Sequence, residues 1–164
     1  MKVLAIDPGT RNTGIVCLED NSIIHARCLS FKESIKDDQE KLLSRSDDIA
    51  DIVINCIKMF KPDVVVIEGF VNFGVRSNVY TSQTPFLVGV LCESIIRCSG
   101  YLWPVIQLSR DVLKKPKTMD KKDYPPMVTE ALENVKNAKE TCTNEHLRSA
   151  LAHGYYYLKG HNDD

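Results

Sequence analysis

The sequence predicts an α/β domain with a mixed central sheet, which begins with an antiparallel N-terminal meander and is flanked by helices. Three apolar segments separated by turn residues open the chain, and an amphipathic segment of helical period lies between them and a further buried-type strand. Strand, helix and strand in succession favour a parallel crossover. With 164 residues, 43% of them hydrophobic, residues 1–164 are expected to form a single domain.

The first half of the chain supplies most of the predicted sheet. The meander strands are expected at residues 2–6, 14–19 and 22–29. A turn-forming pair, Asp20-Asn21, joins the last two of them. Apolar residues then recur with helical spacing over residues 37–60, and Pro62 ends that helix. A short all-apolar run that ends at Glu68 predicts a buried strand.

The second half is predicted to be mainly helical, after a mobile connection at residues 69–84. Helices are expected at residues 85–98, 127–139 and 145–158, with a strand at 101–108. Pro85 opens the first of these helices, and Asn144 caps the last. The helix that begins at Pro85 is apolar around much of its circumference. It therefore packs either within the core or against a second copy of the chain.

Composition restricts the class of protein. With 21 basic and 22 acidic residues and a net charge of -1, overall charge gives no argument for a nucleic-acid partner, so any basic surface is local. No signal or membrane-spanning segment is evident. No CxxC pair or Cys/His ligand spacing occurs, so the cysteines are interpreted as reduced core residues of a cytoplasmic protein. They are Cys17, Cys28, Cys56, Cys92, Cys98 and Cys142.

Two acids stand at the ends of predicted core strands. Asp7 follows an apolar run and precedes a Pro-Gly-Thr turn, and Glu68 follows the second apolar run and precedes Gly69. Either acid alone could cap a strand or accept backbone hydrogen bonds. Because clustered carboxylates repel each other strongly at low dielectric, the pair together with an acidic final helix favours a site for Mg²⁺ or Mn²⁺.

The start of the final predicted helix carries further candidate ligands. Glu145 and Ser149 are four residues apart, and His146 and Ser149 are three apart, so each pair shares a helix face. Either Glu145 or His146 could point with Ser149 toward the strand ends. Glu145 could instead only favour the helix N-terminus through the helix dipole, and His146 could be an ordinary surface imidazole.

These residues resemble the RuvC-type Holliday-junction resolvases of the RNase H-like fold, enzymes of DNA recombination and repair. The resemblance rests on Asp7-Pro8-Gly9-Thr10 with Thr13-Gly14, on Glu68, and on the acidic final helix with Ala150. It covers nearly the whole chain, and short phage-type members are the most similar. It implies a homodimer that packs largely through residues 85–98. Neither membrane association nor a nucleotide cofactor is expected. Each of two separated sites would nick a four-way DNA junction, in the cytoplasm of a bacterial host if the chain is phage-encoded.

The resemblance also implies a two-metal site, with Mg²⁺ as the natural ion and Mn²⁺ as a substitute. Asp7 would bridge two ions about 4 Å apart, with Glu68 completing their shells. Glu145 or His146, together with Ser149, would supply the contribution of the last helix. The implied catalytic residues are thus Asp7, Glu68, Glu145 and Ser149. Water would be the attacking group, which agrees with the lack of a convincing Ser-His-Asp or Cys-His arrangement.

Ser149 departs from the family pattern, in which an aspartate normally precedes the alanine of the last helix. A serine offers only a neutral oxygen, so at least one metal site should be weaker while DNA binding survives or improves. Ser149 is therefore either a natural weakening of the site or a deliberate inactivating substitution.

DNA-contacting residues are expected in two segments. Aromatic residues after Glu68 are candidates for stacking on distorted bases, although core packing is an equal alternative for them. A basic loop beyond residue 113 is a candidate for phosphate contact if it borders the acidic site, and is otherwise a solvated loop. The candidates are Phe70, Phe73, Arg76, Lys114, Lys117, Lys121 and Lys122.

Three other functions compete for the same features. Sugar kinases and actin-like ATPases share the strand turn after Asp7, but they need a second domain that 164 residues do not hold. A catalytically silent module that binds branched DNA would explain Ser149. An RNase H-like nuclease that acts on RNA-DNA hybrids would use the same acids, and a preference for hybrids over junctions would identify it.

Overall fold

One five-stranded mixed sheet forms the centre of the structure. The computed structural model describes residues 1–33, 35, 38–69, 79–115, 120 and 123–162. Its strands are β1 (Lys2–Asp7), β2 (Asn12–Glu19), β3 (Ser22–Ser30), β4 (Val64–Gly69) and β5 (Val105–Leu108). They lie in the order β3-β2-β1-β4-β5. The first three pair antiparallel, whereas β4 pairs parallel with both β1 and β5, so the predicted meander and crossover are both present.

Helices cover both faces of the sheet. They are α1 (Gln39–Phe60), α2 (Val79–Ser99), α3 (Ser109–Val112), α4 (Pro126–Asn134), α5 (Ala138–Thr141) and α6 (Glu145–Asn162). The side chain of Asp38 caps α1 by accepting a 3.0 Å hydrogen bond from the amide of Lys41. Asn144 caps α6 in the same way, since its Oδ1 accepts from the amide of Leu147 at 3.0 Å, as the sequence predicts.

Alternating side chains along β1 and β4 divide the core into two layers. One face packs against α1 and α2 through Leu4, Ile6, Val65 and Ile67. The other face packs against α6 through Val3, Val64 and Val66. Asp7 on β1 and Glu68 on β4 follow two residues after the last apolar side chains of this second face, so they have the same orientation. Both carboxylates therefore lie on the face of the sheet that α6 covers.

Two element boundaries near prolines differ from the prediction. The helix expected to open at Pro85 begins at Val79, so that Pro85 lies inside α2. A proline removes the hydrogen bond of its own nitrogen, and here the helix continues through it. The strand expected at 101–108 starts only at Val105, because Pro104 has no N–H to donate to the sheet.

The helix predicted at 127–139 is interrupted. Residues 135–137 separate α4 from α5, and Asn137 has a positive φ of 62°, which asparagine tolerates better than most residues. The amide of Lys136 donates a 2.9 Å hydrogen bond to the carbonyl of Asn21. A contact with the β2–β3 turn therefore replaces one turn of helix.

The cysteines are all free, but they are not all core residues. Cys17, Cys56 and Cys142 are buried, Cys28 and Cys92 are half-buried, and Cys98 is exposed. The prediction of a core position is therefore wrong for Cys98, which lies near the end of α2. Among the helices of the described ranges, none has both the length and the apolar character needed to cross a bilayer.

Candidate active site

Two acids lie side by side at the carboxyl ends of β1 and β4. Ile6 pairs with Ile67 in the parallel ladder, and Asp7 and Glu68 are the next residues on each strand. Neighbouring strands lie about 4.8 Å apart, and Asp7 is only 8% and Glu68 only 3% exposed. Burial, and then the charge of Asp7, raise the pKa of Glu68. The two groups thus repel each other unless a cation lies between them.

The turn after β1 fixes the position of Asp7. The hydroxyl of Thr13 donates a 2.8 Å hydrogen bond to the carbonyl of Gly9, and Arg45 of α1 donates to the carbonyl of Thr10 at 3.1 Å. A Cβ at Gly9 would collide with the carbonyl oxygen of Asn12, so this turn requires glycine. The Pro-Gly-Thr motif therefore has a structural role beside the acid.

The first turns of α6 contact both acids. Nδ1 of His146 lies 3.0 Å from Oδ2 of Asp7, and this hydrogen bond raises the pKa of the imidazole. The hydroxyl of Ser149 donates a 2.6 Å hydrogen bond to Oε2 of Glu68. The acids are thus held in two separate pairs, Asp7 with His146 and Glu68 with Ser149.

Two glycines allow α6 to approach the sheet closely enough for these contacts. A Cβ at Gly14 of β2 would collide with the backbone carbonyl of His146. A Cβ at Gly154 of α6 would lie 2.9 Å from Cδ1 of Leu18 and 3.0 Å from Cβ of Ala5. Either side chain would push the helix outward, so both glycines help to position the site.

Glu145 lies at the rim rather than between the acids. Its side chain is 87% exposed, and its Oε1 is 3.6 Å from Nε2 of His146. Adjacent helical residues point about 100° apart, so only one of the two can face the strand ends directly. In this structure that residue is His146, and a metal-binding role for Glu145 stays a prediction.

A cleft of about 550 Å³ opens over the acids, and two basic side chains are part of its lining. Lys115, Tyr124 and Arg148 contribute to its lining together with Asp7 and Glu68. Nε of Arg148 donates a 3.0 Å hydrogen bond to the carbonyl of Cys142, and its guanidinium lies 4.7 Å from the centre of the Tyr124 ring. Arg148 was not among the site residues predicted from the sequence, although it stands directly before the predicted site residue Ser149.

Most of the predicted DNA contacts lie outside the described residues. Lys114 is exposed and does not line this cleft, whereas its neighbour Lys115 does. The remaining candidates lie outside the described residues, and their roles stay predictions. They are Phe70, Phe73, Arg76, Lys117, Lys121 and Lys122.

A buried imidazole stands behind Glu68. His153 has no exposed surface, its Nδ1 lies 3.1 Å from Oε1 of Gln107, and its Nε2 lies 3.7 Å from Oε2 of Glu68. Burial lowers the pKa of His153 to about 4, so the ring is neutral at neutral pH. Gln107 reaches this position because it pairs with Glu68 in the β4–β5 ladder. Neither His153 nor Gln107 was predicted from the sequence as a site residue.

The donors at the cleft fit a hard divalent cation. In the part of the chain that the structure describes, no three or more histidine, cysteine, aspartate or glutamate side chains converge as a closed metal cage. Mg²⁺ usually binds one or two carboxylates and keeps several waters. Asp7 and Glu68 are two such carboxylates at an open cleft, so they could hold a largely hydrated ion.

Junction resolvases are among the solved structures of similar fold. RuvC of Thermus thermophilus in complex with a Holliday junction substrate has a TM-score of 0.69 at 19% identity, covering 98% of this chain and 96% of that one. A second structure of Thermus thermophilus RuvC gives 0.68 at 19% identity, with 98% and 97% covered. The yeast mitochondrial Holliday junction resolvase Ydc2 gives 0.52 at 14%, with 98% and 81% covered. These likenesses confirm the RNase H-like fold.

Sequence comparison identifies the family. No protein of curated function matches the chain. The family model of RuvC, the crossover junction endodeoxyribonuclease, matches residues 3–101, which is more than half of the chain and includes both strand-end acids. The chain therefore belongs to the RuvC family of crossover junction endodeoxyribonucleases, whose function is to resolve Holliday junctions.

Proposed function

We propose that this chain cuts four-way and other branched DNA junctions by metal-dependent hydrolysis of a phosphodiester, with Asp7 and Glu68 as the central metal ligands. One observation carries the proposal: the two acids end adjacent parallel strands, face α6 and line one cleft. That arrangement concentrates negative charge where a cation and a DNA phosphate can meet. Family membership makes a junction the substrate of choice.

In the proposed mechanism, the residues that line the cleft have different roles. The resemblance to RuvC-type resolvases implies two Mg²⁺ ions. When bound, they would activate water and stabilise the leaving oxygen. Asp7 and Glu68 would hold the cation, and His146 orients Asp7 through its 3.0 Å contact. Arg148 is held by the Cys142 carbonyl and the Tyr124 ring, so its remaining N–H groups are set to contact a phosphate. Glu145 at the rim can bind a water of the cation shell.

Ser149 weakens this site in the proposed mechanism. Its hydroxyl adds no charge to the cation site and is already engaged with Glu68 at 2.6 Å. The same hydrogen bond favours one second candidate, a junction-binding module with little or no nuclease activity. Binding and cleavage must therefore be measured separately.

We further propose that the active form is a homodimer that packs through α2. The outer side of α2 has a shallow depression of about 440 Å³, lined in part by Pro85, Phe86, Gly89 and Val90. Phe86 is 39% exposed, and a Cβ at Gly89 would meet only open space. A surface with exposed apolar side chains and a glycine suits close approach of a second helix.

The decisive experiment combines gel-shift and nicking assays on a synthetic four-way junction, in Mg²⁺ and then in Mn²⁺. We expect selective junction binding and metal-dependent nicks, weak in this chain and stronger in Ser149→Asp. Asp7→Asn is the control that should bind but not cut. Equal binding to linear duplex would contradict the proposal, and preferential cutting of an RNA-DNA hybrid would replace the substrate class. Junction binding without cleavage in any variant would favour the silent module.

A further inference from the structure

One nitrogen near the site has no explanation in the mechanism above. Nε2 of His153 is buried and, within the described part of the chain, has no hydrogen-bond partner. Leaving a buried polar atom unsatisfied is unfavourable, so such atoms usually have a partner in the functional state. The nearest charged oxygen is Oε2 of Glu68 at 3.7 Å, which is too far for a hydrogen bond.

Gln107 determines which ring nitrogen is available. Its Oε1 lies 3.1 Å from Nδ1 of His153, so a neutral ring carries its proton on Nδ1 and donates it to this oxygen. The lone pair of Nε2 then points toward Glu68. Histidines that bind metals are typically held in this way, with one ring N–H donated to an oxygen and the other nitrogen free for the ion.

Two of the surrounding donors can share an ion after a small movement. Adjacent ligands of an octahedral cation lie about 3.0 Å apart when each is about 2.1 Å from it, so the 3.7 Å between Nε2 and Oε2 has to shorten by about 0.7 Å on binding. Ser149 lies one helical turn before His153, and its hydroxyl contacts the same Glu68 oxygen. His153 thus lies next to the place where the family has a carboxylate and this chain has a serine.

We propose that His153 is a metal ligand of this chain, which binds a divalent cation together with Glu68 and replaces the carboxylate that position 149 lacks. The inference rests on the proposed function and adds the identity of a ligand. The hydrogen bond from Nδ1 to Gln107 leaves the lone pair of Nε2 free, as a ligand requires. Glu68 and Ser149 both line the cleft, so the ion would enter beside them and complete its shell with water.

Imidazole ligation predicts the preferred metal. Nitrogen ligands suit transition metals, whereas Mg²⁺ prefers oxygen donors throughout. The chain should therefore bind Mn²⁺ more tightly than Mg²⁺ by a margin that depends on His153. A purely structural role of His153 would affect both ions alike.

Calorimetric titration of the DNA-free chain with MnCl₂ and with MgCl₂ tests this directly. In His153→Gln we expect the affinity for Mn²⁺ to fall at least about tenfold and the affinity for Mg²⁺ to change less than about threefold. His25→Gln is the matched control, because Nε2 of His25 is likewise buried without a hydrogen-bond partner among the described residues. It lies on β3, where its ring stacks on Phe60. Equal losses for both ions, or no loss for Mn²⁺, would overturn the proposal.

A second measurement does not require a variant of His153 itself. Pulsed electron paramagnetic resonance of the Mn²⁺-loaded His146→Gln chain should still show coupling to an imidazole nitrogen. Gln107→Met, which removes the acceptor for Nδ1–H, should weaken that coupling. Its absence in folded His146→Gln would overturn the assignment even if junction cleavage were normal, whereas absence of cleavage alone would count against the proposed function only.

Discussion

Ser149 donates its hydroxyl to Oε2 of Glu68 at 2.6 Å, at a position where both residues are less than a tenth exposed. A neutral donor therefore stabilises the charged form of a carboxylate that burial and Asp7 otherwise disfavour. Compared with an aspartate at this position, the serine stabilises the metal-free fold, but it leaves the site with less negative charge to bind a cation. The hydrogen bond between Ser149 and Glu68 therefore favours stability without metal at the expense of metal affinity.

Ser149→Asp should reverse that balance. A third carboxylate beside Asp7 and Glu68 should lower the free energy of unfolding of the metal-free chain by about 1–2 kcal/mol. Junction nicking in Mg²⁺ should rise at least about tenfold. Denaturant titrations with and without Mn²⁺, together with single-turnover nicking, measure both effects. Ser149→Asn, which is similar in size to the aspartate variant but neutral, should show neither the loss of stability nor the gain in nicking. If Ser149→Asp does not increase nicking, the hypothesis that Ser149 weakens the site is refuted.

Arg148→Ala should weaken junction binding, with little change in fold stability beyond the loss of the Tyr124 contact and of the hydrogen bond to the Cys142 carbonyl. Removing one phosphate contact should reduce the slope of log affinity against log salt concentration by about 1. Lys58→Ala is the control, because Lys58 is exposed in the last turn of α1, at the opposite end of the sheet. Gel shifts over a salt series give both slopes. An unchanged slope for Arg148→Ala would exclude the phosphate contact.

Gly14→Ala should displace the start of α6. The added Cβ meets the backbone carbonyl of His146, which cannot rotate away, so the helix must shift at a cost of about 1–3 kcal/mol. Because His146 then moves from Asp7, metal affinity should fall as well. Gly160→Ala in the same helix, with open space around its Cβ, should leave stability equal or higher. Thermal unfolding and Mn²⁺ titration measure both quantities, and equal behaviour of the two variants would contradict this account of Gly14.

Phe86→Glu should convert a dimer into a monomer. The new charge would be buried against the second copy, where it has no partner and disfavours association. Sedimentation velocity at several concentrations measures the change. Met59→Glu is the matched control, since Met59 is 72% exposed on α1 and should leave the oligomeric state unaltered. A monomeric parent chain, or a dimer that survives Phe86→Glu, would argue against the α2 interface.

Alkaline pH should destabilise the fold through buried thiols. Burial raises the pKa of Cys17 from 9.0 to about 12 and that of Cys142 to about 11. A raised folded pKa means that the stabilisation is complete below pH 9 and is lost progressively above it, at up to about 1.4 kcal/mol per pH unit for each thiol. Urea titrations from pH 8 to 11 should therefore show a smaller decline in Cys17→Ala and in Cys142→Ala than in the parent. Parallel declines in all three chains would disprove this.

Local patterns in the sequence determined the strands and the two acids. The apolar runs before Asp7 and Glu68 are short and unbroken, so they predict core strands, and the acids at their ends follow without any knowledge of packing. The family resemblance rests on the same residues. The caps at Asn144 and the turn at Asp20-Asn21 are likewise local chemistry, and the structure has both.

Tertiary packing decided which other side chains meet these acids. Glu145 and His146 are neighbours on one helix, and only the seating of α6 against Gly14 turns His146 toward Asp7. His153 and Gln107 come together from a helix and a strand 46 residues apart, and Arg148 and Tyr124 similarly meet across the cleft. The helical period of a sequence shows which residues share a helix face, but not which face packs against the sheet. That choice depends on close contacts between distant segments, and such contacts exist only in the folded chain.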